Sequence, residues 1–135
     1  VAGEACKKLG LKFGYHNHEY EFDSENGQVL YDVLMDNTQN DLVYMELDLG
    51  WVVVAGKDPI SYFKKYPGRF PLWHLKDMDM TKKESTEFGK GALDIGLMLK
   101  NKELSGVEHI YIEQEEYAST PFESMKYNMD YLKNI

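Results

Sequence analysis

Val43-Tyr-Met-Glu-Leu-Asp-Leu-Gly-Trp51 decides how the chain is read. It is an apolar run that ends in carboxylates. Glu46 and Asp48 stand two apart, so in a strand both side chains point to one face. Gly50 breaks the run. A helix start follows at Asp58-Pro59, with aspartate as N-cap and proline in the first turn. A carboxylate at the C-terminal end of a strand, just before a strand-to-helix loop, is where α/β barrels place their chemistry.

Working outward, three other stretches repeat this design: Leu11 to His18, Phe70 to Asp77, and His109 to Glu116. Each is a short apolar run that ends in His, Asp or Glu. Helical spacing lies between them. Val29, Leu30, Val33 and Leu34 predict a helix over Val29 to Met35. Further helices are expected over Ile60 to Lys65, Leu93 to Lys102 and Phe122 to Leu132. Val1 to Gly10 reads as the last turns of a helix capped by Gly10. Asp23 to Gly27 and Ser105-Gly106 read as turns, Val52 to Gly56 as a loop or helical turn, and Lys76 to Gly91 as a long polar loop.

The order α-β-α-β-α-β-α-β-α implies a parallel sheet with right-handed crossovers. The predicted fold class is α/β, of the (β/α)8 TIM-barrel type, with residues 1–135 as one unit of four βα repeats. That is half of a barrel, which usually needs about 250 residues. Half a barrel exposes a long parallel edge and apolar faces. The chain is therefore expected to be a fragment lacking the N-terminal half, or else to form a homo-oligomer that covers the edges.

Composition narrows the partners. The 135 residues carry 15 Lys+Arg against 23 Asp+Glu, a net charge of −8, with no basic cluster, which argues against nucleic acid. No apolar run approaches the roughly 18 residues of a membrane span. The single cysteine, Cys6, excludes an intrachain disulfide and reads as a buried, inert thiol. The chain opens at Val1 in mid-pattern, so the true N-terminus and any targeting segment are expected to lie outside it. Cytoplasmic localisation is the working expectation.

In a parallel sheet all four strand ends lie on one side. His16 and His18, Glu46 and Asp48, His74 with Lys76 and Asp77, and Glu113 with Glu115 can therefore converge. Carboxylates mixed with histidine suit a divalent ion of intermediate hardness such as Mn²⁺, Mg²⁺, Co²⁺ or Zn²⁺. Such an ion, with open positions for two sugar oxygens, would polarise a carbonyl and stabilise an enediolate while a nearby base removes the α-proton. Any one of these residues has a plainer reading: a lone acid at a strand end is usually solvated, and a lone histidine is usually structural. Four successive strand ends with ligand-type residues carry the argument.

Other residues keep two readings. Lys76 either holds a substrate oxygen or phosphate or is a solvated loop cation. Glu46 either lines the site or pairs with Lys76. Glu115 lies beyond its strand, and His109 opens one, so His109 reads as structural. Trp73 alternates with His74 and should face the outer helices. Tyr127 and Tyr131 should dock the last helix on the outside of the barrel or on another subunit.

Gly14-Tyr-His-Asn-His-Glu-Tyr-Glu-Phe22, Glu46-Leu-Asp-Leu-Gly-Trp51 followed by Ala55-Gly-Lys-Asp-Pro59, His74-Leu-Lys-Asp77, Phe88-Gly-Lys-Gly91 with Asp94, and Tyr111-Ile-Glu-Gln-Glu115 occur in that order. Together they resemble the C-terminal half of the sugar phosphate isomerase/epimerase family, within the xylose-isomerase-like TIM-barrel superfamily. The resemblance implies a metal bound by Glu, Asp, His and Glu from four successive strands. Asp48, His74 and Glu113 match the last three positions. His16 stands where the epimerases have the first glutamate, a residue that in them also moves a proton.

The resemblance therefore implies Glu113 as both ligand and proton-transfer group, and His16 as fourth ligand or base, with His18 or Glu19 as other sources of the missing base. Trp51 stands where the epimerases often have a substrate-contacting histidine, and would either stack on a sugar or simply pack. His18, Trp51, Lys76 and Glu46 complete the expected substrate side. The implied activity is that of a metal-dependent isomerase or epimerase of a sugar, sugar phosphate or polyol ketone. The alternatives are a keto-sugar lyase or dehydratase on the same site, and a degenerate, non-catalytic sugar-binding barrel. Endonuclease action on damaged DNA is disfavoured by the acidic balance.

Overall fold

The computed structural model describes all 135 residues. The elements run α1 (Ala2–Lys8), β1 (Gly14–His16), a single 3-10 turn at Tyr20–Phe22, β2 (Ser24–Glu25), β3 (Gln28–Val29) and α2 (Leu30–Asp36). Then come β4 (Tyr44–Asp48), α3 (Leu49–Val54), α4 (Pro59–Lys65), β5 (Leu72–Leu75), β6 (Asp77–Asp79) and β7 (Glu84–Thr86). The chain closes with α5 (Ile95–Lys100), α6 (Lys102–Ser105), β8 (His109–Ile112) and α7 (Pro121–Lys133). The main sheet has the order β1-β4-β5-β8, and every pairing in it is parallel. This is the expected set of four βα units.

Alternation along the strands divides the sheet into two faces. Met45, Leu47, Trp73 and Leu75 are at most 1% exposed and meet the helices. Trp73 stacks on Phe63 of α4 with ring centroids 5.0 Å apart, as its outward position required. Phe22, Tyr31 and Tyr62 extend this layer, with Tyr62 meeting the other two rings edge-on. Side chains of this size contribute about 1.5–3 kcal/mol each on burial, so the outer face holds the fold. Glu46, Asp48, Leu72 and His74 occupy the other face. That face is thereby left for chemistry.

Local signals start the helices where the sequence places them. Asp58 accepts from the Ile60 amide at 3.0 Å, with Pro59 in the first turn of α4. Asp94 accepts from the Leu97 amide at 2.9 Å. Thr120-Pro-Phe-Glu123 starts α7 with the reciprocal spacing of a capping box. Gly10 takes φ +71° just after α1, the conformation its C-cap role needs.

The structure departs from the sequence reading in several places. Gly50 does not break the chain; it lies inside α3, which begins directly after Asp48. A Cβ at Gly50 would stand 2.9 Å from the Lys76 carbonyl oxygen and 2.9 Å from Met78 Cγ, so the glycine allows α3 to cross the neighbouring strand end closely. The long polar loop from Lys76 to Gly91 contains an antiparallel hairpin, β6–β7. It is organised by Asp77, a buried carboxylate that accepts from the amides of Met78, Gly89, Gly91 and Leu93. The Asp23–Gly27 turn is the tip of a second small hairpin, β2–β3. The helix expected over Leu93 to Lys102 is two short helices, because the chain turns at Asn101. β1 starts at Gly14 rather than Leu11, and Cys6 is half-buried and free.

Strands β1 and β8 each pair on one side only, so the sheet has two open parallel edges. Leu9, Leu11, Ile110 and Phe122 are exposed. No helix is long and apolar enough to cross a membrane.

Candidate metal centre at the strand ends

Parallel register brings the four strand ends level. Asp48 of β4 lies opposite His74 of β5, His74 lies opposite Tyr111 of β8, and His16 of β1 lies opposite Glu46. Glu113 follows β8 directly. One ligand atom from each of His16, Asp48, His74 and Glu113 falls within 4.8 Å of all the others. All four residues expected to form the centre are thus brought together.

Asp48 has two tasks. Its Oδ1 accepts from the Trp51 amide at 3.1 Å and so caps α3. Its Oδ2 faces the cluster, 3.3 Å from His16 Nε2 and 3.1 Å from Lys76 Nζ. The carboxyl is completely buried. Burial pushes its pKa up, but the His16 hydrogen bond, the Lys76 charge and the Trp51 amide outweigh that and hold it below the usual range. The hydrogen bond to Asp48 raises the His16 pKa above its ordinary value.

His74 is held at both nitrogens. Nε2 lies 3.1 Å from Glu46 Oε1, and Nδ1 is hydrogen-bonded to Glu113 Oε2. Each ring nitrogen thus meets a carboxylate, and the Glu46 contact at Nε2 holds the ring with Nδ1 aimed into the cluster, which is how carboxylates orient metal-binding histidines. The expectation that Glu46 might pair with Lys76 is corrected here: it engages His74.

Lys76 is the larger correction. It is not a solvated loop cation; its side chain is 1% exposed. Nζ lies 3.1 Å from Asp48 Oδ2, 3.1 Å from Glu113 Oε2 and 3.5 Å from Glu115 Oε2. It also stands 5.1 Å above the Trp51 ring. Burial lowers the lysine pKa, yet the Asp48 and Glu113 charges overcome this and raise it.

The substrate side is more open. Exposed His18 stacks with Tyr20 and meets Trp51, with centroids 5.6 and 5.8 Å apart. Trp51 is half-buried, and its Nε1 lacks a hydrogen-bond partner. Tyr111 and His109 stay exposed on the inner face of β8.

Two residues that the sequence reading passed over support the centre. Asn17 is fully buried, with Oδ1 accepting from the Asp48 amide at 3.0 Å and Nδ2 donating to the Asp48 carbonyl at 3.4 Å. Glu21 accepts from the Tyr15 hydroxyl at 2.8 Å and from the His18 amide at 2.9 Å. Their signal was a polar residue placed between or just after the two histidines.

The donor set fits a divalent ion. Two imidazoles and two carboxylates converge, and three carboxylates (Asp48, Glu113, Glu115) surround one ammonium, with a fourth, Glu46, on His74. Unbalanced negative charge in a partly buried site favours a bound cation.

Comparison with known proteins follows the same lines. No protein-family model matches the chain. An inosose dehydratase of Clostridium beijerinckii is 28% identical over 151 residues, covering 97% of this chain and 50% of that protein. One from Clostridium perfringens is 35% identical over 88 residues, 65% of this chain and 29% of the relative. Two crystal structures of sugar phosphate isomerase/epimerase from Parabacteroides distasonis superpose with TM-scores of 0.82 and 0.85 at 31% and 28% identity. They cover 97% and 99% of this chain, and 48% and 51% of theirs. The chain thus spans about half the length of the solved structures, and half or less of the curated relatives.

Proposed function

We propose that this chain belongs to the xylose-isomerase-like barrel superfamily, as a relative of its sugar phosphate isomerase/epimerases, and that it carries the metal-binding half of an enzyme acting on a sugar, sugar phosphate or related polyol ketone. The observation that carries this reading is the convergence of His16, Asp48, His74 and Glu113 at four successive strand ends. Residues 1–135 correspond in this reading to the C-terminal half of the barrel. An N-terminal half, or a second copy, would cover the open edges of β1 and β8.

His16, Asp48, His74 and Glu113 would hold a divalent ion, Mn²⁺, Mg²⁺, Co²⁺ or Zn²⁺. When bound, it would supply Lewis-acid polarisation of the substrate carbonyl. The remaining work falls to side chains. Glu113 uses Oε2 for both its contacts, to His74 and Lys76, which leaves Oε1 to take the α-proton. His16 approaches from β1, across the site from β8, and serves as the second proton-transfer group in place of a glutamate. Glu46 keeps His74 oriented. His18 and Trp51 offer an aromatic wall for a sugar's apolar face, and Lys76 a charge for an oxygen or phosphate.

The leading reaction is isomerisation or epimerisation. Dehydration on the same site is the second reading. It is favoured by the curated relatives named inosose dehydratase, and by the Lys76 ammonium beside the site, able to protonate a departing hydroxyl. Incubating the metal-loaded full-length protein with keto-sugars and inososes in deuterated water separates them. Deuterium gained at the α-carbon with no water lost supports isomerase or epimerase action; a product lighter by one water supports the dehydratase. Metal binding with neither outcome would leave a degenerate sugar-binding barrel and overturn the catalytic reading.

A further inference from the structure

We propose that Lys76 is a built-in cation that occupies the Asp48–Glu113 carboxylate pair until a divalent ion displaces it, and that it thereby sets how tightly the centre binds metal. The inference rests on reading the strand ends as a metal centre, and it deepens that reading.

The oxygens that Lys76 uses are the ones the centre needs. Nζ lies 3.1 Å from Asp48 Oδ2 and 3.1 Å from Glu113 Oε2. The same Oδ2 faces His16 Nε2 at 3.3 Å and His74 Nδ1 at 3.9 Å, and the same Oε2 is bonded to His74 Nδ1. The ammonium therefore sits among the atoms on which all four donors converge. An ammonium and a divalent ion compete for those lone pairs, and their charges repel strongly at such range where solvent is largely excluded. With a side chain 1% exposed, Lys76 must have anionic partners as long as it remains charged there.

The surroundings also provide somewhere for the ammonium to go. Glu115 Oε2 lies 3.5 Å from Nζ and belongs to no other part of the donor cluster. The Trp51 ring lies 5.1 Å away and can accept the charge on its face. A four-carbon stem with a point charge at its tip suits such a short swing. Set between Asp48 and Glu113, the lysine keeps two neighbouring carboxylates from repelling each other. Loading then exchanges one internal cation for another.

The test is calorimetric titration of Mn²⁺ into the full chain and into Lys76→Met, Lys76→Gln and Lys76→Arg, with circular dichroism confirming the fold of each. Met and Gln remove the competitor and are expected to bind Mn²⁺ at least tenfold more tightly; Arg keeps the charge and should stay within a few-fold of the parent. Equal or weaker binding by both Met and Gln, with the parent still binding, overturns the inference and leaves the metal centre standing. No Mn²⁺ binding by any of the four overturns the metal centre, and the inference with it. A second readout needs no Lys76 variant. Mg²⁺ titration should change tryptophan emission in the parent and not in Trp51→Phe, as the ammonium shifts on the Trp51 ring. A parent that binds Mg²⁺ with no change in emission contradicts the exchange.

Discussion

The Asn17 carboxamide grips the Asp48 backbone at two points, accepting from its amide at 3.0 Å and donating to its carbonyl at 3.4 Å. A completely buried side chain from the end of β1 thus fixes the end of β4, where the most buried ligand candidate sits. Asn17→Ala would leave the Asp48 amide unpaired in the interior. The expected cost is about 1–3 kcal/mol in urea unfolding. Mn²⁺ affinity should fall at least tenfold as Asp48 loses its orientation. Lower stability with unchanged affinity would make Asn17 a purely structural residue.

A separate buried carboxylate, Glu87, is expected to contribute to acid stability. The Ser124 hydroxyl hydrogen bond, helped by the Ala118 amide and by Lys90, overcomes burial and holds Glu87 down to about 2 from the usual 4.5. A depressed folded pKa gives stability that is fully present above the unfolded value and is lost as pH falls through the folded one. Glu87 should therefore contribute on the order of 3 kcal/mol at neutral pH, lost progressively between 4.5 and about 2. Glu87→Gln should be less stable at pH 7 and show a flatter decline across that window. An unchanged acid slope would contradict the assignment.

Gly50 ties helix packing to the site. Its missing Cβ is what lets α3 run against the Lys76 backbone. Gly50→Ala is expected to cost about 1–3 kcal/mol through overpacking, despite alanine's better helix propensity. Because the clash falls on Lys76, metal affinity should change as well. A neutral or stabilising effect in thermal unfolding would show that α3 has room to move.

The open edges of β1 and β8 predict association. Sedimentation of the isolated 135-residue chain should give species heavier than its 15.7 kDa, or binding to a separately produced first half-barrel. A well-folded monomer that ignores such a partner would contradict the half-barrel account.

What was legible in the sequence, and what was not, follows from the range of the forces involved. Glu46, Asp48 and Trp73 were readable because a period of two assigns faces before any partner is known. Asp58-Pro59 was readable because capping is local. α3 is legible only in part, as a loop or helical turn at Val52 to Gly56, because it is short and has glycine at its second position; a tertiary contact with Lys76 makes that glycine useful. The β6–β7 hairpin was missed because Asp77-Met-Asp79 and Glu84-Ser-Thr86 carry no strand pattern. Asp77 gathers the amides of Gly89, Gly91 and Leu93 beyond β7, a contact that closes the loop around the hairpin and that no local pattern marks. Lys76 keeps two readings in the sequence, a substrate contact or a solvated cation, because its partners come from β4 and from beyond β8, and no local pattern marks them.

The central claim is that His16, Asp48, His74 and Glu113 form one metal centre. Its most direct test is metal analysis after exhaustive dialysis, followed by Mn²⁺ titration of the parent, Asp48→Ala and His74→Ala. The account predicts one bound ion per chain in the parent, and at least a hundredfold weaker binding in both variants while their folds persist. A parent that takes up no metal, or variants that bind as tightly as it does, would contradict it.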